Sequence, residues 1–203
     1  MLVLLPVSTP KHPIQLMRLH EEGSERQKNL CLTLNVIVES HGENMGDKPN
    51  ALQKIRSIAN YQFGGEVGRR LFPNEVRIVY SKRTGRIRHV YLGEKMLATL
   101  RPTDGLFSLT ITGAKRMMEH VKPPRLWVRI QEEAEPFVAE GKSVFAKHVI
   151  DADEEIRPQE EVIVVTKKGE VLAVGRAALS GKEMKTFRRG AAVRVRKGVA
   201  EES

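Results

Sequence analysis

Residues 162–177 read VIVVTKKGEVLAVGRA. Two apolar runs, Val162 to Val165 and Val171 to Val174, flank Lys167-Lys168-Gly169. β-Branched residues favour strands, and a short glycine-containing break between two such runs signals a hairpin. The stretch therefore reads as a buried strand pair, Glu161–Thr166 and Glu170–Ala177. Upstream, Leu126, Val128 and Ile130 alternate, so RLWVRI is a further strand. Trp127 alternates with Leu126 and Val128, which places the indole on the outward face. Glu133–Glu140 reads as a short helix closed by Gly141, Ser143–Ile150 as extended chain, and Asp151–Gln159 as an acidic loop. Downstream, Ser180 caps a helical turn, Gly181–Phe187, and Ala192–Arg196 is the last strand. About six short strands with two small helices in some 75 residues predict a closed or partly closed β-barrel.

Pro123-Pro124 separates this unit from an earlier one. There, Leu52, Ile55, Ile58, Ala59 and Phe63 share a helical face. Gly64-Gly65 interrupts it, and Val67–Phe72 is a second short helix stopped by Pro73. Strands follow at Glu75–Ser81, Arg86–Leu92, Met96–Leu100 and Leu106–Ile111, and Thr112 caps a helix over Gly113–Val121. The first two strands enclose SKRTGRIR, residues 81–88, a hairpin with a cationic tip.

The chain has 203 residues and a net charge of +9. Residues 45–122 hold 15 Lys and Arg against six Asp and Glu, whereas the segments on either side are nearly neutral. So one-sided a distribution points to a local anion-binding face, with nucleic acid the leading partner class. The single cysteine, Cys31, excludes an internal disulfide and a Cys-rich zinc site. None of the six histidines pairs with another at ligand spacing, so no metal or cofactor is expected. No run approaches the roughly 20 apolar residues of a membrane helix, and a soluble cytoplasmic protein is expected. Residues 1–48 are broken by proline and glycine, with one alternating stretch, Leu30–Val38. They are expected to be an N-terminal extension, disordered or preceding a true start at Met45.

The second unit resembles a PUA domain, the small RNA-binding pseudobarrel of tRNA- and rRNA-modification enzymes. The likeness rests on GKSVFAKHV (141–149), on residues 162–177 and on FRRGAAVRVRKG (187–198). The first unit resembles the domain that precedes PUA in archaeal tRNA-guanine transglycosylases, the archaeosine enzymes. It carries NYQFG (60–64), LFPNEVRIVYSKRTGRIRHVYLG (71–93) and LATLRPTDGLFSLTITGAKRM (97–117). The resemblance implies an α+β chain: a small α/β pre-PUA domain over 49–122, a PUA β-barrel over 123–198 and a tail over 199–203. The family's catalytic TIM barrel and Cys/His zinc site need roughly 250 residues, more than precede this unit. The implied protein is a non-catalytic, tRNA-binding subunit of a split archaeosine transglycosylase, meeting the acceptor end and body of tRNA and a separate catalytic subunit. A stand-alone PUA protein acting in translation or rRNA modification is the alternative.

Phosphate contacts position a nucleic acid without reading its sequence. Lys82, Arg83, Arg86 and Arg88 are the candidates at the hairpin tip, and Arg69, Arg70, Arg101, Lys115 and Arg116 could extend the face. Arg86 and Arg88, two apart, are expected on one side of their strand. In the second unit the resemblance implies RNA contacts at Gly141, Lys142, Ser143 and Lys147 on one side and Arg188, Arg189 and Arg194 on the other. Val144 and Phe145 could add an apolar stacking surface, with Phe145 expected in the core.

Overall fold

The computed structural model describes residues 48–120 and 125–202. The expectations for residues 1–47 and for Pro123-Pro124 lie outside them. Asp47–Ser203 is one compact unit built from two domains.

The first domain opens with α1 (Lys48–Phe63) and α2 (Val67–Leu71). Ile55, Ala59 and Phe63 recur at helical spacing and are buried, which fixes the face α1 turns inward. Gly64, in left-handed conformation, ends α1. A four-stranded antiparallel meander follows: β1 (Arg77–Tyr80), β2 (Ile87–Leu92), β3 (Lys95–Leu100) and β4 (Phe107–Leu109). Helix α3 (Ile111–Met118) closes the domain. β4 is shorter than expected. Its edge is filled by the Gln62 side chain of α1, which donates to the Phe107 carbonyl at 2.9 Å and accepts from its N–H at 2.7 Å. The α3 cap is Thr110 rather than Thr112. Thr110 Oγ1 accepts from Gly113 N and also donates to the Met96 carbonyl at 2.6 Å, tying the cap to β3.

The second domain contains β5 (Trp127–Ile130), a 3-10 turn leading into α4 (Glu135–Ala139), β6 (Val144–Phe145) and β7 (Val149–Ala152). Then come β8 (Glu161–Val165), β9 (Val171–Ala177), α5 (Gly181–Thr186) and β10 (Ala191–Gly198). The sheet order is β6-β10-β9-β8-β5-β7, antiparallel except for β5 against β8. The stretch expected to be extended at 143–150 is interrupted by a 3-10 turn, Ala146–His148. Asp151 belongs to β7, and Asp153 is buried, accepting from Leu126 N at 2.8 Å. That bond holds Leu126 at a left-handed φ of 58°, where the chain enters β5. Residues 199–202, expected as tail, form a 3-10 turn whose Glu201 accepts from Gly198 N.

β8 is buried along its whole length because it has a core on each face. Val162 and Val164 point into the barrel with Val128, Leu172 and Val193. Ile163 and Val165, with Val174 of β9, join Phe72, Phe107 and Met117 in a cluster centred on the first domain. One hydrophobic core therefore spans both domains. This also corrects the expected position of Trp127, which is only 5% exposed and lies in that shared cluster. The outward face of the barrel at β5 is covered by the first domain.

A buried carboxylate reinforces the join. Glu161, 2% exposed, accepts from Leu109 N at 2.9 Å, so β8 grips the end of β4. Arg196 of β10 forks onto the same carboxylate at 2.5 and 3.0 Å and also donates to the Leu109 carbonyl at 2.7 Å.

Candidate nucleic-acid interface

The hairpin between β1 and β2 is built for exposure. Ser81 N bonds Arg86 O at 2.8 Å, Gly85 N bonds Ser81 O at 2.8 Å, and Gly85 takes a φ of 66°. Such a turn favours glycine, since a side chain there is strained. Lys82, Arg83, Arg86 and Arg88 are all exposed, and among the described residues none has an ion pair. Tyr80 pairs with Ile87 and Val79 with His89, so Arg88 is the extra residue of a β-bulge. The bulge breaks the simple alternation expected for Arg86 and Arg88 and re-aims the second guanidinium. His89, beside it, bonds Thr99 Oγ1 at 3.1 Å. Burial, and then the Arg88 charge, hold its pKa below that of an ordinary histidine.

The proposed extension of this face divides. Arg69, Arg70 and Lys115 are exposed on α2 and α3, and Arg116 is tied to the Arg70 carbonyl at 2.9 Å. Arg101 does not belong with them. It is 9% exposed, forks onto Asp104 at 2.8 and 3.0 Å, and approaches Glu161 at 3.7 Å. Its role is internal, in the β3–β4 turn.

In the second domain the candidate residues gather on the β6–β10 edge. Phe145 lies opposite Ala191 and Val144 opposite Val193, and Ala146 N bonds Gly190 O at 3.0 Å. This register brings Lys142, Ser143 and Lys147 alongside the Arg188-Arg189-Gly190 turn, all of them exposed. The roles expected of the neighbouring apolar residues are reversed. Val144 is buried, whereas Phe145 is 51% exposed, because β6 is a two-residue edge strand with its outer side open. Phe187, at the end of α5, is a second exposed ring beside the same turn. Gly141 is left-handed as expected of a helix-closing glycine, but its open side is taken. A Cβ there would lie 2.8 Å from a Glu201 carboxylate oxygen, so that spot repels rather than invites a phosphate. Arg194 stands apart on the outer sheet face, opposite Arg176 of β9. Two further residues were legible only as apolar runs interrupted by a charge: Glu161 at the start of β8, and Arg176 within β9.

Residues 53–124 match the patch-forming domain C2 of tRNA-guanine transglycosylase, and residues 127–199 match the PUA domain. The chain carries a C2 domain followed by a PUA domain. The tRNA-guanine(15) transglycosylase of Methanothermobacter thermautotrophicus is 45% identical over 147 residues, 72% of this chain and 22% of the relative. That of Pyrococcus furiosus is 46% identical over 186 residues, 90% of this chain and 31% of the relative. The second alignment spans more residues than lie after residue 47, so it takes in part of the N-terminal segment. The chain thus covers between 22% and 31% of the length of these relatives. Among solved structures, a hypothetical protein of Pyrococcus horikoshii superposes with a TM-score of 0.62 at 25% identity, over 77% of this chain and 96% of that one. C2 accounts for the cationic hairpin and its meander, and PUA for the six-stranded barrel. No helix among the described residues is long and apolar enough to cross a membrane.

Proposed function

We propose that this chain binds tRNA and serves an archaeosine tRNA-guanine transglycosylase as its gripping, non-catalytic part. The observation that carries the reading is the hairpin tip: exposed cations at Lys82, Arg83, Arg86 and Arg88 with no carboxylate partner among the described residues, on a domain whose relatives are transglycosylases. Like charges held together on one turn raise the energy of the free protein, and a polyanion lowers it. The PUA edge adds a second grip, in which Phe145 and Phe187 offer ring faces to unpaired bases and Lys147, Arg188 and Arg189 offer charge. The work of the chain is to hold the substrate. The exchange of the base belongs to a separate catalytic subunit.

The test is binding of an unmodified tRNA transcript across a salt series. Replacing Lys82, Arg83, Arg86 and Arg88 by Ala lowers the log–log slope by roughly three units and leaves the fold intact. An unchanged slope means that the tip is merely solvated. A second reading, a stand-alone RNA-binding protein of translation or rRNA modification, draws support from the Pyrococcus horikoshii structure, 96% of whose chain superposes on this one. The two readings part on whether a catalytic transglycosylase chain gains activity when this one is added.

A further inference from the structure

We propose that Arg176 and Arg194 form a phosphodiester-binding pair at the seam of the C2 and PUA domains, a contact for the RNA backbone that rests on the tRNA-binding reading above. Strand register makes the row. Glu161 of β8 lies opposite Arg176 of β9, which lies opposite Arg194 of β10. Ile163, Val165 and Val174 share this sheet face, and their packing with C2 shows which way it looks. The row therefore lies on the PUA face that meets C2.

The charges there do not balance. Glu161 is already held by Leu109 N and by the Arg196 fork. Asp104 is forked by Arg101, and Arg176 acts on it only through space. Each nearby carboxylate thus has a guanidinium of its own. Among the described residues neither Arg176 nor Arg194 has an ion pair or a hydrogen bond from its side chain. Like charges directly opposite on paired strands are destabilising. Arginines on directly opposed residues also supply the paired donors that recognise phosphate oxygens. An anion between them removes the repulsion and satisfies the donors.

The topology says which anion. In an up-and-down meander alternate turns lie at the same end of the sheet, so the Lys82–Arg88 tip and the Arg101–Gly105 turn share one end of C2. The two turns are centred two strand spacings, or about 10 Å, apart. The second is the turn whose Asp104 feels Arg176. A polyanion lying on the tip can continue across that turn and reach the Arg176–Arg194 pair, which favours an RNA backbone over a small free anion.

The experiment uses the whole chain and an unmodified tRNA transcript, with binding followed against salt. Arg176→Gln and Arg194→Gln each lower the log–log slope by about one unit, and the double variant by about two. The melting temperature of the free double variant stays level or rises, because a repulsive pair has been removed. The proposal is overturned if the double variant keeps the native slope, or if its melting temperature falls, which marks the pair as structural. When the hairpin-tip variant loses slope and the seam variant does not, only the seam contact falls and the RNA-binding reading stands. When the unaltered chain shows no salt-dependent binding, both fall.

Discussion

Exchanging Glu161 for Gln keeps the shape of the side chain and removes its charge. Arg196 and Arg101 then face a neutral amide, and Leu109 N keeps only a weaker acceptor. Removing one member of a buried ion pair costs about 3–5 kcal/mol, less where a partner touches solvent, as Arg196 does. A loss of about 2–3 kcal/mol is expected in urea unfolding. The double variant Glu161→Leu with Arg196→Met should not recover it, since both the N–H and the carbonyl of buried Leu109 then lose their partners. Equal midpoints for native protein and Glu161→Gln would refute the account. His89 sets a second expectation. Its folded pKa lies below the ordinary 6.5, first through burial and then through Arg88. The unfolded chain therefore takes up a proton at higher pH than the folded one. The contribution of His89 to stability is complete above pH 6.5 and is lost as the pH falls through the lower folded value. His89→Gln should flatten that part of the stability curve. Parallel curves would show that the imidazole does not titrate on unfolding.

At the level of the element, α3 sits so close to β3 that only glycine fits at the contact. A Cβ on Gly113 would lie 2.0 Å from the Leu97 carbonyl oxygen. Gly113→Ala must push the helix outward, with an expected loss of about 1–3 kcal/mol read by thermal melting. A variant as stable as the native protein would mean that α3 is free to shift. The strands and turns were readable because their signals are local: alternation in β5, valine runs in β8 and β9, a glycine at each tight bend. What escaped the sequence was decided by contacts between distant residues. Thr110 rather than Thr112 caps α3 because Met96, across the sheet, accepts from its hydroxyl. Trp127 is buried because another domain covers it, which alternation along one strand cannot report. Phe145 is exposed because β6 is an edge strand of two residues, and edge position belongs to sheet order rather than to composition. Of the proposed cations, the tip residues were plain from their turn, whereas Arg101 carries the same charge and spends it inward on Asp104.

For the whole molecule, the shared core should make the two domains unfold as one body. Calorimetry should show a single transition whose calorimetric and van't Hoff enthalpies agree. Two resolved transitions would show that the Glu161 network and the cluster around Phe107 do not couple the domains. In a labelled-guanine exchange assay this chain alone should be inactive. Added to a catalytic transglycosylase subunit, it should raise activity on folded tRNA far more than on an isolated D-arm stem, because binding energy from remote regions can be spent on distorting the substrate. Exchange by this chain alone, or equal stimulation on both substrates, would contradict the proposed division of labour. The doubly buried strand β8 has a last consequence. With Val162 and Val164 anchored in one domain and Ile163 and Val165 in the other, neither domain can swing about the other without exposing apolar surface. The cationic hairpin and the aromatic edge, one on each domain, are then held at one fixed separation. If both hold RNA as proposed, an RNA that spans that separation should meet the second at high effective concentration once the first is engaged, and one too short to span it should engage only one.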